Sequence, residues 1–199
     1  MTEFDKAEAA QLAIKYDYDY WDGSRQTGYG GYKYDGRWRK VADAMVATYG
    51  IESGMRILDV GCGKGFLLHD FRQACPGVEV AGLDVSRYAI DHAMESVRPF
   101  LEEGTAAKLS WPDDHFDLVV SINTLHNLYI YDLWSALLEI ERVGRGAKFI
   151  CVEAYRSERE KVNLMYWQLT CRAFHTPAEW EWIFDQTGYS GDHEYIFFE

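Results

Sequence analysis

The stretch Arg56-Ile57-Leu58-Asp59-Val60-Gly61-Cys62-Gly63-Lys64-Gly65-Phe66 constrains this chain more than any other: an apolar run, an acid, then glycines at three alternate positions. Ile57, Leu58 and Val60 read as a parallel strand covered on both faces. The glycines let the backbone take positive φ and let a ligand lie against the main chain. The helix that resumes at Phe66 points its first N–H groups back at the turn. Such a strand, turn and helix predict an α/β fold with a nucleotide-binding corner.

The spacing narrows the nucleotide. A dinucleotide corner, G-x-G-x-x-G, requires its third glycine where Phe66 stands, and a phosphate-cradling P-loop requires Ser or Thr where Gly65 follows Lys64. What remains is an acid followed by Gly-x-Gly-x-Gly. Asp59, Gly61, Gly63 and Gly65 in that order resemble the first motif of the class I S-adenosylmethionine-dependent methyltransferases. A second likeness stands downstream, where Pro112-Asp113-Asp114-His115-Phe116-Asp117-Leu118-Val119 is similar to the family's Pro-x-x-x-Phe-Asp turn and fourth strand. The resemblance covers roughly Arg56 to Glu153. It implies a doubly wound, mostly parallel sheet of six or seven strands with helices on both faces, the Rossmann-like methyltransferase fold.

The whole chain is compatible with that expectation. At 199 residues it fits a single domain spanning 1–199, with residues 1–40 as an N-terminal helix and lid, and a domain of this size buries around 70% of its unfolded surface. Cys62, Cys75, Cys151 and Cys171 are far apart with no His at ligand spacing, so no metal site is expected. A formal charge of −12 argues against a nucleic-acid partner, because such binding draws its affinity from cations meeting phosphates. A small-molecule substrate is expected, with the protein a monomer or homodimer. No apolar run is long enough to span a bilayer, and the opening Met1 to Lys6 lacks a signal-peptide pattern. No membrane association and a cytoplasmic location are therefore expected.

Taken in order, residues up to Ala13 or Ile14 read as a short helix. From Tyr16 to Arg39 the chain is rich in Tyr, Trp, Gly and Arg without a clear period, which predicts an ordered loop or lid. Tyr20, Trp21, Tyr29 and Tyr32 are candidate substrate residues, since aromatic faces attract a sulfonium by roughly 0.5–2 kcal/mol each. Arg25, Lys33, Arg37, Arg39 and Lys40 concentrate positive charge there, with Asp22 and Asp35 neutralising part of it, which points to an anionic acceptor. Helices are expected over Val41–Tyr49 and Phe66–Cys75, and a strand over Val78–Asp84. Asp84 stands about twenty residues beyond the glycine turn, where a neighbouring parallel strand brings a carboxylate to the ribose hydroxyls. Ser86 reads as the N-cap of a helix running from Arg87 to Glu102 or Glu103.

After Gly104 the family often reads Gly-Asp-Ala; this chain departs from it with Thr105, leaving Thr105 and Ala106 as candidates beside the adenine. At the end of the fourth strand, Asn123 to Asn127 should border the transferred methyl, and His126 is the candidate general base, because imidazole titrates near neutrality. Asp132–Val143 reads as a helix and Ala147–Ala154 as the fifth strand. Glu153, Tyr155 and Arg156 at its carboxyl end are candidates for reaching the acceptor. Leu164 to Cys171 reads as a core helix or an acceptor wall. Thr176-Pro177-Ala178-Glu179 is a helix start with a capping box. Glu194–Phe198 reads as a sixth strand, and the family usually adds a seventh.

The resemblance implies methyl transfer from S-adenosylmethionine to an oxygen or nitrogen of a small polar acceptor, anionic or carbohydrate-linked. Asp59 with Gly61, Cys62, Gly63 and Gly65 would hold the methionine end, Asp84 the ribose, and Thr105 and Ala106 the adenine, with Val85 and Asn123 also expected at the cofactor. Two other readings of the same corner are a nicotinamide-dependent oxidoreductase and a non-catalytic binding protein that keeps the cofactor fold.

Overall fold

The computed structural model describes residues 5–199, so Met1 to Phe4 lie outside the described residues. Six strands, β1 (Arg56–Val60), β2 (Glu79–Asp84), β3 (Leu101–Glu103), β4 (Phe116–Ile122), β5 (Gly144–Glu153) and β6 (Asp192–Ile196), form one sheet in the order β3-β2-β1-β4-β5-β6. Every neighbouring pair is parallel. Parallel strands need crossovers, and helices α4 (Phe66–Ala74), α5 (Arg87–Asp91), α6 (Ile130–Val143) and α8 (Pro177–Thr187) lie along those connections. The sheet has six strands among the described residues, the lower of the two numbers expected.

Alternation along the strands explains the two cores. Leu58 and Val60 of β1 and Val119 of β4 pack with α6 and α8 around Trp180, while Ile57, Leu118 and Val120 face α3 (Arg39–Tyr49) and α4 around Phe71. Both faces are covered, which is why β1 is apolar at successive positions. Local signals set several boundaries. Gly50 closes α3 in the left-handed conformation, and Thr176 and Glu179 exchange hydrogen bonds as a capping box with Pro177 at the first helical position.

Two expectations need correction. The helix read from Arg87 to Glu103 stops at Asp91: Ser86 caps α5 as expected, but a 3₁₀ turn at Arg98–Phe100 and then β3 take over the remainder. Pro99 lacks an N–H and disfavours a helical residue before it, and Leu101–Glu103 gain a ladder against Gly82–Asp84 that no local pattern announces. In the stretch read as core helix or acceptor wall, α7 (Glu158–Trp167) buries Leu164 but leaves Met165, Tyr166 and Trp167 exposed. The lid region also contains one short helix, α2 (Tyr18–Trp21), preceded by α1 (Lys6–Ala13), which Asp5 caps by accepting the Ala7 and Glu8 amides.

Candidate active site

The strand order reverses between β1 and β4, so a crevice opens beyond their carboxyl ends, the position where open α/β sheets bind ligands. A cavity of about 210 Å³ occupies it. Its floor is the turn after β1. Gly61 and Gly63 take φ of 86° and 52°, conformations that L side chains rarely adopt. Space is equally restrictive: a Cβ on Gly61 would fall 2.0 Å from Thr124 Oγ1, and one on Gly63 would fall 2.8 Å from the Trp21 ring. The amides of Gly61 and Cys62 both donate to the Leu83 carbonyl, tying the turn to the end of β2.

Asp84, the last residue of β2, completes that tie. Its Oδ2 accepts the Gly63 amide at 2.7 Å and its Oδ1 accepts the Ser86 amide at 2.8 Å. Burial raises its pKa, and those two amides pull it partly back. Asp59 lines the same cavity and is buried, yet among the described residues no hydrogen-bond or ion-pair partner meets its carboxylate. Burial first, and the charge of Asp84 second, push it up to about 8. Two buried carboxyls thus face a cavity into which no Lys, Arg or His among the described residues projects. Such a site suits a ligand carrying positive charge and hydroxyls and opposes a phosphate.

The wall above is the lid. Tyr20, Trp21, Tyr29 and Tyr32 all line the cavity as expected, joined by Tyr16 and Trp38. Trp21 stacks on Tyr29 at 5.4 Å, Tyr29 meets Tyr32 at 4.5 Å, and Tyr32 stacks on Phe66 at the start of α4. The Trp21 indole N–H donates to Ser86 Oγ at 2.9 Å and to the Tyr16 carbonyl at 3.1 Å. The lid cations do not enter: Arg37 forks onto Asp35, Arg39 pairs with Asp43, and Arg25 donates to the Tyr29 carbonyl. The charge concentration that pointed to an anionic acceptor is therefore spent outside the cavity.

On the far side, Asn123 leaves β4 with φ 58°, an uncommon conformation that Asn tolerates, and lines the cavity with Thr124, Asn127 and Leu128. Val85, Thr105 and Ala106 line it at the β2 and β3 end. His126 does not. Its imidazole is 2% exposed, its Nδ1 accepts the Glu153 amide at 3.2 Å, and its carbonyl accepts the amides of Arg172 and Ala173. Burial lowers it to about 3, far from the range of a base working near neutrality. Glu153 is buried behind the same wall and is raised by burial to about 8, so its 3.5 Å contact with His126 joins two neutral groups. Arg156 is held on the surface by Glu160 and Glu199.

Tyr16 and Lys64 were not singled out from the sequence, and Thr124 and Asn127 entered only as part of the stretch expected to border the transferred methyl. Thr124 and Asn127 lie within the Asn123–Asn127 loop, and each carries a polar group on a strand exit, the one signal available. Tyr16 sits at φ 51° where α1 hands over to the lid, which no composition foretells.

Similarity to known proteins agrees with the geometry. Residues 51–188 match the methyltransferase domain family. A methyltransferase of Schizosaccharomyces pombe, C1B3.06c, is 34% identical over 48% of this chain and 38% of its own length. YcgJ of Bacillus subtilis is 31% identical over 57% of this chain and 46% of its own length. The chain thus spans less than half the length of these two curated relatives. The crystal structure of YcgJ superposes with a TM-score of 0.63 at 22% identity, covering 74% of this chain and 67% of that one. The methyltransferase solved in complex with the Haloferax volcanii Trm112 activator superposes with the same score at 21% identity, covering 94% of this chain and 77% of that one. With an all-parallel sheet, an acid and three alternate glycines at its switch point, and a family match running from before β1 into Gly188, the chain belongs to the class I S-adenosylmethionine-dependent methyltransferases.

Proposed function

We propose that this chain transfers a methyl group from S-adenosylmethionine to an oxygen or nitrogen of a small acceptor that carries no negative charge. The observation that carries the reading is the buried Asp59 carboxyl, raised to about 8 and without a partner among the described residues, beside Asp84 in a cavity that no cationic side chain among them enters. A ligand ammonium at Asp59 favours the ionised carboxylate that burial alone keeps protonated, whereas a dinucleotide would bring its pyrophosphate against two buried carboxyls. The residues present therefore fit the cofactor. Asp59 and the Gly61–Gly63 backbone would hold the methionine end, Asp84 the ribose, and Thr105 and Ala106 the adenine.

When bound, S-adenosylmethionine supplies an electrophilic methyl on a positively charged sulfur. The chain's own work is to align and to exclude water. Trp21, Tyr29 and Tyr32 close one side with rings, and Asn123 and Asn127 offer polar groups on the other. Alignment of this kind contributes about 7–11 kcal/mol in favourable cases, and a drier site favours a reaction that neutralises a charge. His126 takes no part: it is behind the wall and neutral, and it holds the Glu153 strand end against the 172–173 segment. Positioning, without a general base, is the mechanism we assign.

Calorimetry tests the assignment. S-adenosylhomocysteine should bind in the micromolar range and NAD should not, and Asp84→Ala should abolish binding by releasing both the ribose and the Gly63 amide. Absence of S-adenosylhomocysteine binding by the wild-type chain refutes it, and tight NAD binding favours the oxidoreductase. The acceptor is then found as the metabolite that gains a labelled methyl from cell extract.

A further inference from the structure

Lys64 stands inside the glycine turn, between Gly63 and Gly65, yet its side chain is turned away from the cofactor cavity and lines a second, more open one on the other side of the lid. It is 5% exposed, a rare state for a lysine. All three of its N–H donors are used: both Asp22 oxygens lie at 2.7 Å and the Tyr32 carbonyl at 3.0 Å. Asp22 is equally committed, accepting the Tyr88 hydroxyl at 2.9 Å and the Tyr32 amide at 3.2 Å. The pair joins groups 42 residues apart, one in the cofactor turn and one in the lid.

The neighbouring lid residue reinforces the connection. Trp21 lies over Gly63 and donates to Ser86, whose amide is held by Asp84. Two consecutive lid residues, Trp21 and Asp22, therefore grip the glycine turn and the end of β2, the two elements that present backbone and carboxylate to the cofactor. A lid that merely covered the core edge would need neither a buried ion pair nor a lysine in the one loop where glycines are required for close approach.

We propose that Lys64 is a positioning residue that latches the lid to the glycine turn through Asp22, so that lid closure and cofactor binding are one coupled event. The coupling to cofactor rests on the methyltransferase reading of the cavity; the latch itself does not. Because turn and lid share this pair, a ligand that orders the turn also orders the lid, and an opened lid leaves the turn without its wall. Breaking one partner of a buried pair strands the other charge, so the single variants should show the largest effect and the double variant a smaller one.

The test compares wild type with Lys64→Met, Asp22→Asn, the double variant and Tyr88→Phe, with and without S-adenosylhomocysteine. Hydrogen exchange over residues 16–38 and tryptic nicking at Arg25 and Lys33 report the lid; exchange over β1 and β4 reports the fold. In ligand-free protein, Lys64→Met and Asp22→Asn should each speed lid nicking at least tenfold with β1 and β4 protection retained, Tyr88→Phe should do so by a few-fold, and the double variant should not exceed the singles. S-adenosylhomocysteine should slow lid nicking in wild type, and its affinity should fall about tenfold in the singles. Lid protection equal to wild type in Lys64→Met and Asp22→Asn overturns the latch, as does equal loss of protection in lid and strands. If wild type binds no S-adenosylhomocysteine, the cofactor reading fails, while the ligand-free comparison still decides the latch.

Discussion

Replacing Asp59 by Asn should stabilise the ligand-free fold while weakening cofactor binding, and the pH dependence of the gain is its signature. Asp59 is raised from an ordinary 3.8 to about 8, by burial first and Asp84 second. A carboxyl with a raised folded-state pKa gives its full stability only below the unfolded value and loses it as pH rises toward the folded value. At a little over 1 kcal/mol per pH unit, the loss is about 1–2 kcal/mol at pH 5, about 4 at pH 7, and levels at about 6 above pH 8. Asn carries no such dependence, although its buried amide introduces a constant cost of about 1–3 kcal/mol. The difference between variant and wild type should therefore grow by about 4 kcal/mol from pH 5 to pH 9 whatever that constant is. With an m-value of about 2 kcal/mol/M, urea midpoints should separate by about 2 M more at pH 9 than at pH 5. S-adenosylhomocysteine affinity should fall about 10- to 150-fold with the lost charge-assisted bond. A midpoint difference that stays flat with pH would mean that Asp59 is not a strained carboxyl, and the reading of the cavity as waiting for a cation would fail with it.

Three further outcomes are expected. His126→Ala should leave the pH profile of turnover unchanged and cost about 1–3 kcal/mol of stability through the unpaired Glu153 amide; a collapse of turnover with stability intact would restore it as a base. The His126 contribution runs opposite to that of Asp59: held near 3 in the fold, His126 must charge on unfolding below about pH 6.5, so its stabilisation is present above about pH 6.5 and is lost as pH drops toward 3, measurable as a stability difference between wild type and His126→Ala that shrinks as pH falls. Gly63→Ala should weaken S-adenosylhomocysteine binding and open the lid together, since the new methyl meets the Trp21 ring in a backbone conformation alanine resists; unchanged tryptic nicking of the lid would show that Trp21 does not sit on the turn.

What the sequence made legible was whatever is decided within a few residues. The strand before Gly61, the Asp84 carboxylate, the Ser86 cap and the Thr176 capping box each depend on a short pattern, and each is present in the fold. Asp117 of the Phe-Asp turn accepts the Arg56 amide and pairs with Arg145. What failed needed a distant partner. The three residues of β3 are a strand only because β2 lies beside them, and their one Leu gives no alternation to read. His126 looked available because its residue type titrates near neutrality, but the 172–173 segment and β5 bury it. The lid arginines looked like an anion site because their acids, Asp35 and Asp43, stand beside them in sequence without announcing the pairing.

The field in the cavity explains why one architecture separates two kinds of nucleotide. A dinucleotide corner and this one share a strand, a glycine turn, a helix and an acid on the next strand. In the dinucleotide corner the helix N-terminus and turn amides face a pyrophosphate, and the acid stays at the sugar. Here the Gly63 amide, a donor that could have met a phosphate, is already taken by Asp84 at 2.7 Å, and Asp59 adds a second carboxyl with no cation opposing it among the described residues. The one lysine in the turn is drawn out of the cavity by Asp22. Each change removes positive potential from the site, so an anionic ligand loses on every count while an ammonium gains. In the proposed function, the withdrawal of Lys64 is one of three changes that favour a cationic cofactor, and through Asp22 it also supplies the lid's proposed anchor.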